Sequence, residues 1–174
     1  MTLEQLLEAV PDYAQDLRLN LSTLLRQSEL SAQQLWGAAV ASAVASRNPR
    51  VDAAIESEAA KNLTPEALNA AKSAAAIMGM NNVYYRFLHL TSNPQYATIP
   101  ARLRMNALRT HGVEQADFDL WCTAVSAIDN CPACVASHEK AVRERGLTAE
   151  TILAAVRIAA VIHAVAAVFD ARLE

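Results

Sequence analysis

Glycine is scarce in this 174-residue chain (four residues), aromatic side chains make up only 5%, and there are three cysteines, an odd number. Scarce glycine excludes a phosphate-cradling Gly-rich loop, and no dinucleotide fingerprint is present, so no bound NAD or flavin is expected. Three cysteines without a secretory leader exclude a structural disulfide framework and direct attention to redox or metal chemistry. There is no excess of positive charge: the formal net charge is −3. Without clustered Lys and Arg, nucleic acid is not an expected partner. The opening Met1-Thr2-Leu3-Glu4-Gln5 places an acid where a signal peptide needs a basic start, so the protein is read as cytoplasmic. The most apolar late stretch, Ile158 to Phe169, is shorter than the ~20 residues of a membrane span and is read as a core helix. No alternating run bounded by turn residues is found, so no strand is predicted.

What the chain does have is alanine within a 53% hydrophobic composition. Alanine loses no side-chain entropy in a helix and allows close helix packing. The expected fold is all-α, a single domain spanning residues 1–174. Thr2 with Gln5 and Ser31 with Gln34 read as capping boxes. Asn48-Pro49 ends one helix and starts the next, and Thr64-Pro65 opens a long helix reaching roughly to Leu88. Residues 91–101 read as a loop. Helices are predicted near 101–109, 114–128 and 131–145, with a last one from Thr148. Gly146 is the left-handed cap of the penultimate helix.

The chain also repeats itself, approximately 31–89 against 115–172. Leu35-Trp36 matches Leu120-Trp121 at an offset of 85, and Leu63-Thr64 matches Leu147-Thr148 at 84. At an offset of 85 the first half has Ser46 and Pro49 where the second has Cys131 and Cys134. The scaffold therefore does not need the thiols.

The chemistry-bearing motif is Cys131-Pro132-Ala133-Cys134 followed by His138. Asp129 or Asn130 is a natural N-cap, and Pro132 is tolerated in a first helical turn, so the motif is placed at a helix N-terminus. The two cysteines, three apart, share a face and can bridge. His138, four after Cys134, can lie beside that sulfur. The helix end favours thiolate, the reactive form. The same three side chains could be zinc ligands, but a structural zinc site usually draws its four ligands from two spaced pairs, and no second pair exists. Cys122 reads as a small buried hydrophobe. His89, His111 and His163 belong to no local constellation, and His163, in an apolar helix, reads as a core histidine.

Asp119 lies twelve residues before Cys131. The pattern acid-x11-Cys-x2-Cys-x3-His resembles the alkyl hydroperoxide reductase D family of the carboxymuconolactone decarboxylase-like superfamily. A second block, Ile77-Met78-Gly79-Met80-Asn81-Asn82-Val83-Tyr84-Tyr85-Arg86, resembles its first-half signature, and Leu120 to Ile128 is also similar. The resemblance implies a duplicated all-α fold and a homotrimer; thiol–disulfide exchange itself needs no bound cofactor. The resemblance also implies a disulfide reductase with weak peroxidase activity that recycles an alkyl hydroperoxide reductase C-type peroxiredoxin. Electrons would come from dihydrolipoamide on a lipoylated acyltransferase. By position, Cys134 would attack and become a sulfenic acid or mixed disulfide. Cys131 would donate a proton and close the Cys131–Cys134 disulfide, and His138 would relay protons. Asp119 would orient His138, through water, in place of the family's longer Glu. Ala133 stands where relatives often have histidine. A non-redox decarboxylase-like enzyme of the same fold and a zinc-stabilised interaction module are the alternatives.

Overall fold

The structure, a computed structural model, describes residues 1–171; position 172, the last of the expected second repeat, lies outside them. Among the described residues there are nine α-helices and no strand. They are α1 (Leu3–Glu8), α2 (Gln15–Leu24), α3 (Ala32–Ser46), α4 (Pro49–Ala59), α5 (Pro65–Thr91), α6 (Pro94–Ala97), α7 (Gln115–Ile128), α8 (Pro132–Glu144) and α9 (Ala149–Asp170).

The capping boxes at Thr2/Gln5 and Ser31/Gln34 form as expected. Thr64 and Thr148 cap α5 and α9 through their side chains, and Gly146 takes φ +88° after α8. The expected helix near 101–109 is absent: only a 3-10 turn, Asn106–Leu108, forms there. Arg102 is left-handed (φ 53°), which interrupts any helical run. The expected loop over 91–101 contains the short α6, capped by Asn93.

Helices α3 and α7 form the centre. Residues Leu35–Ala43 of α3 and Asp117–Ser126 of α7 are buried without a break, as befits helices covered on every side. They pack on each other and on α5 and α9. A Cβ at Gly37 would overlap the Trp121 indole, so only glycine allows this crossing. Trp121 Nε1 donates to the Gln34 carbonyl at 3.2 Å. The buried Asp117 accepts from Gln33 (2.7 Å) and Gln34 (2.9 Å), tying the starts of the two helices together. The apolar stretch expected from Ile158 extends into the 22-residue α9, whose most apolar 18-residue window has a mean hydropathy of 2.3 and which by length and composition alone could cross a membrane. Here it packs against α2, α3 and α7, with Ile158, Ile162, Val165 and Phe169 buried.

The caps of the two halves correspond at offsets of 83, 83 and 84: Ser31 with Glu114, Asn48 with Cys131, Thr64 with Thr148. At the turn that carries the cysteines, aligning the caps gives an offset of 83 where the Leu-Trp match gives 85. Asn48 and Val51, not Ser46 and Pro49, stand opposite Cys131 and Cys134.

Candidate redox site

Helix α7 ends at Ile128, Asn130 turns left-handed (φ 53°), and α8 begins at Pro132. The N-cap is Cys131 itself, not Asp129 or Asn130. Pro132, with its fixed φ and missing N–H, occupies the first helical position and so makes its predecessor the cap. Cys131 Sγ accepts from the Cys134 backbone N–H at 3.3 Å. The two cysteines, with Cα atoms 5.3 Å apart, are joined as a disulfide. The structure thus holds the oxidised pair.

Helix α5 holds this turn in place. Asn82 Nδ2 donates to Asp129 Oδ2 (2.9 Å), Ser126 Oγ donates to Asn82 Oδ1 (3.0 Å), and the Arg86 guanidinium donates to the Asp129 carbonyl. Asn82 and Arg86 lie in the block that carries the family resemblance, but nothing in their spacing marked them as the clamp of the redox turn.

Cys131 is fully buried and Cys134 is 5% exposed. Cys134 opens into a pocket of about 210 Å³ that His138 also lines. Tyr85, Met105 and Leu108 make the pocket wall apolar. Met105 and Leu108 come from the segment around the 3-10 turn, so the missing helix over 101–109 is what brings them to the pocket. Asn81 also lines it; its carbonyl oxygen is 4.0 Å from Cys134 Sγ, and its buried side-chain oxygen carries no hydrogen bond.

Asp119 is 6% exposed, not a solvated helix acid. Its Oδ1 meets His138 Nδ1 directly at 3.0 Å, so no water is needed to span the shorter side chain. Its Oδ2 receives Gln115 Nε2 at 3.2 Å and lies 3.3 Å from Arg145 Nη1. Burial by itself pushes the Asp119 carboxyl up. The hydrogen bonds from His138 and Gln115, with the charges of His138 and Arg145, outweigh it and hold the group below the usual carboxylate range. Gln115 and Arg145 escaped the sequence reading. Gln115 is one turn before Asp119 on α7, a visible spacing, whereas Arg145 reaches it only through the packing of α8 on α7.

Cys122 is the free cysteine and is fully buried, as expected. Burial, then the nearby Asp119 charge, pushes its thiol well above the ordinary value, so it stays protonated and inert. His163 is exposed rather than in the core. Among the described residues no group of three or more His, Cys, Asp and Glu side chains could hold a metal ion.

The model of the carboxymuconolactone decarboxylase family matches residues 94–173. Near-full-length relatives carry the name alkyl hydroperoxide reductase AhpD. That of Solibacter usitatus is 55% identical, covering 98% of this chain and 96% of its own length. That of Acidobacterium capsulatum is 57% identical, covering 98% and 94%. That of Gluconacetobacter diazotrophicus is 58% identical, covering 98% and 93%. The fold, the paired cysteines at a helix start and these matches lead to one conclusion: the chain belongs to the AhpD alkyl hydroperoxide reductase family.

Proposed function

We propose that the protein is a thiol–disulfide oxidoreductase that reduces alkyl hydroperoxides through Cys134 and Cys131, with His138 and Asp119 moving the proton. The observation that carries this reading is that Cys134 and His138 share one pocket while Asp119 holds Nδ1 of the same imidazole. In the reduced enzyme His138 takes the Cys134 proton, favoured by the positive end of α8. The thiolate attacks the terminal oxygen of the hydroperoxide. An S–O bond forms and the O–O bond breaks. The alkoxide leaves, takes the proton from His138 and departs as the alcohol. The Cys131 thiol then attacks the Cys134 sulfenic acid, releasing water and forming the disulfide. Asp119 stabilises the transient imidazolium.

The apolar wall of the pocket supports an organic peroxide as substrate. The relatives' name supports a functional link to an alkyl hydroperoxide reductase C-type peroxiredoxin, whose disulfide the dithiol would reduce by exchange. Dihydrolipoamide carried by a lipoylated acyltransferase is the proposed reductant, in the reducing cytoplasm. A homotrimer is the proposed assembly. An apolar stripe on α5, Val83, Phe87 and Leu90, is 57%, 49% and 71% exposed and offers a surface for it.

A thiol count tests the reading. Dihydrolipoamide is expected to add two titratable thiols, and one equivalent of tert-butyl hydroperoxide to remove them with release of tert-butanol. A thiol count that neither reagent changes would refute it.

A further inference from the structure

The hydrogen bonds do not stop at Asp119. Gln115 Nε2 is 3.2 Å from Asp119 Oδ2, Gln115 Oε1 is 3.0 Å from His111 Nε2, and the Val113 backbone N–H reaches His111 Nδ1 at 3.3 Å. Every direction in this chain follows from its outer end. A backbone N–H only donates, so His111 Nδ1 accepts and the neutral ring carries its proton on Nε2. That proton goes to Gln115 Oε1, which turns the Gln115 amide nitrogen toward Asp119. The ionised carboxylate only accepts, so His138 Nδ1 is the protonated nitrogen facing it. In the neutral His138 ring this leaves the Nε2 lone pair as the free base. The His111 ring is itself fixed in place: it stacks on the buried Phe118 with centroids 4.0 Å apart and planes 8° from parallel.

Arg145 shows why the outer members matter. It shares Asp119 Oδ2 with Gln115, and its own side chain is 41% exposed. Without the Gln115 donor the carboxylate is free to swing toward Arg145 and solvent, away from His138 Nδ1.

We propose that His111 and Gln115 are positioning residues that lock the Asp119 carboxylate and thereby the His138 tautomer whose Nε2 accepts the Cys134 proton. The inference rests on the peroxidase reading for the identity of that proton. Its structural content, two fixed tautomers, stands apart from turnover.

The test uses the full-length reduced protein and pairs kinetics with nitrogen NMR of labelled histidines. In the wild type, neutral His111 is expected to be protonated at Nε2 and neutral His138 at Nδ1. Gln115→Leu, or His111→Phe (which keeps the ring on Phe118), is expected to lower kcat for tert-butyl hydroperoxide about threefold to tenfold, the worth of one neutral hydrogen bond, with KM unmoved. Both variants should shift His138 to a mixture of tautomers. His111→Gln, which retains a donor, should recover part of the loss. In the double variant the His111 change should add nothing to the Gln115 change. Multiplying losses, or a His138 tautomer unaltered in Gln115→Leu, would overturn the proposal. So would a wild-type His111 protonated at Nδ1, a result that needs no variant to fold. A wild type that never turns over peroxide would remove the reaction reading, while the NMR would still decide the relay.

Discussion

The turn between α3 and α4 and the turn between α7 and α8 use the same backbone device for different ends. Each ends a helix, passes one left-handed residue (Arg47, φ 61°; Asn130, φ 53°), sets an extended cap residue and restarts at a proline. In the first, the Asn48 side chain accepts from the N–H groups of Arg50 and Val51, both at 3.0 Å. In the second, the Cys131 sulfur accepts from the N–H of Cys134, the residue in the Val51 position. Beyond the caps the turns diverge. Val51 and Ile55 are fully buried, where the second turn has Cys134 and His138 beside a pocket. Trp36 stands in the register of Asp119, with an indole in place of the carboxylate that holds His138. The redox site therefore occupies a turn the fold would form anyway. Sulfur is a poorer acceptor than an amide oxygen, and the hydrogen bonds from Asn82 and Arg86 of α5 to Asp129 compensate for it.

Putting first-half residues into the second turn separates scaffold from chemistry, and the largest effect belongs to the cysteines. Cys134→Val is expected to fold and to lose hydroperoxide turnover completely, measured with tert-butyl hydroperoxide. Cys131→Asn keeps a good N-cap, so its melting temperature should stay close to that of the fully reduced wild type. With no resolving thiol, its Cys134 should accumulate as sulfenic acid after one equivalent of peroxide, trapped by dimedone and read by mass spectrometry. Retained catalytic cycling in Cys134→Val would reassign the nucleophile. Next comes His138→Ile, the Ile55 counterpart. It removes the base and should slow turnover by about 10² to 10⁴ while leaving the disulfide able to form.

The fold was legible wherever a local rule governed it. The Thr2, Ser31, Thr64 and Thr148 caps, the helix-opening prolines at 49, 65 and 132 and the Gly146 stop are one-residue decisions made by neighbouring atoms. The site was legible in its local part: Cys131, Cys134 and His138 lie within two helical turns. Asp119 came from the family pattern, but its direct contact with His138 depends on how α8 lies on α7, which no spacing encodes. The same holds for Asn82, Arg86 and Arg145, each a long-range partner on another helix. The error over 101–109 has a related origin. Those residues suit a helix, but Arg102 turns left-handed and the segment supplies Met105 and Leu108 to the pocket. The two offsets of the proposed repeat differ because the Leu-Trp landmarks mark buried faces, whereas the caps mark the chain's turns.

A smaller effect is expected at Asp119, where the two turns differ in charge. Asp119→Asn keeps the shape but removes the ionised acceptor, so kcat should fall on the order of tenfold to a hundredfold. The pH dependence of stability sharpens this. The folded-state carboxyl is held below its ordinary value, so its contribution is complete above the unfolded value and is lost as pH falls through the folded one. The wild type should therefore lose more stability than Asp119→Asn on acidification below the ordinary carboxylate range, read from urea midpoints. Equal acid sensitivity of the two proteins would show that the His138–Asp119 pair contributes nothing to the folded state.

The smallest expected effect is the converse transplant. Asn48→Cys with Val51→Cys places a second Cys-Pro-x-Cys on the first turn, with the cap already shaped for it. Mild oxidation should close a disulfide between the two introduced thiols, seen as two fewer free thiols in a background lacking Cys131 and Cys134. Hydroperoxide turnover should not appear. Ile55 offers no base, Trp36 offers no acceptor to hold one, and full burial at position 51 leaves the sulfur without a pocket to open into. Turnover approaching that of the native site would show that the cap geometry alone activates the thiol. Its absence beside a formed disulfide would locate the chemistry in the pocket, the imidazole and the carboxylate behind it.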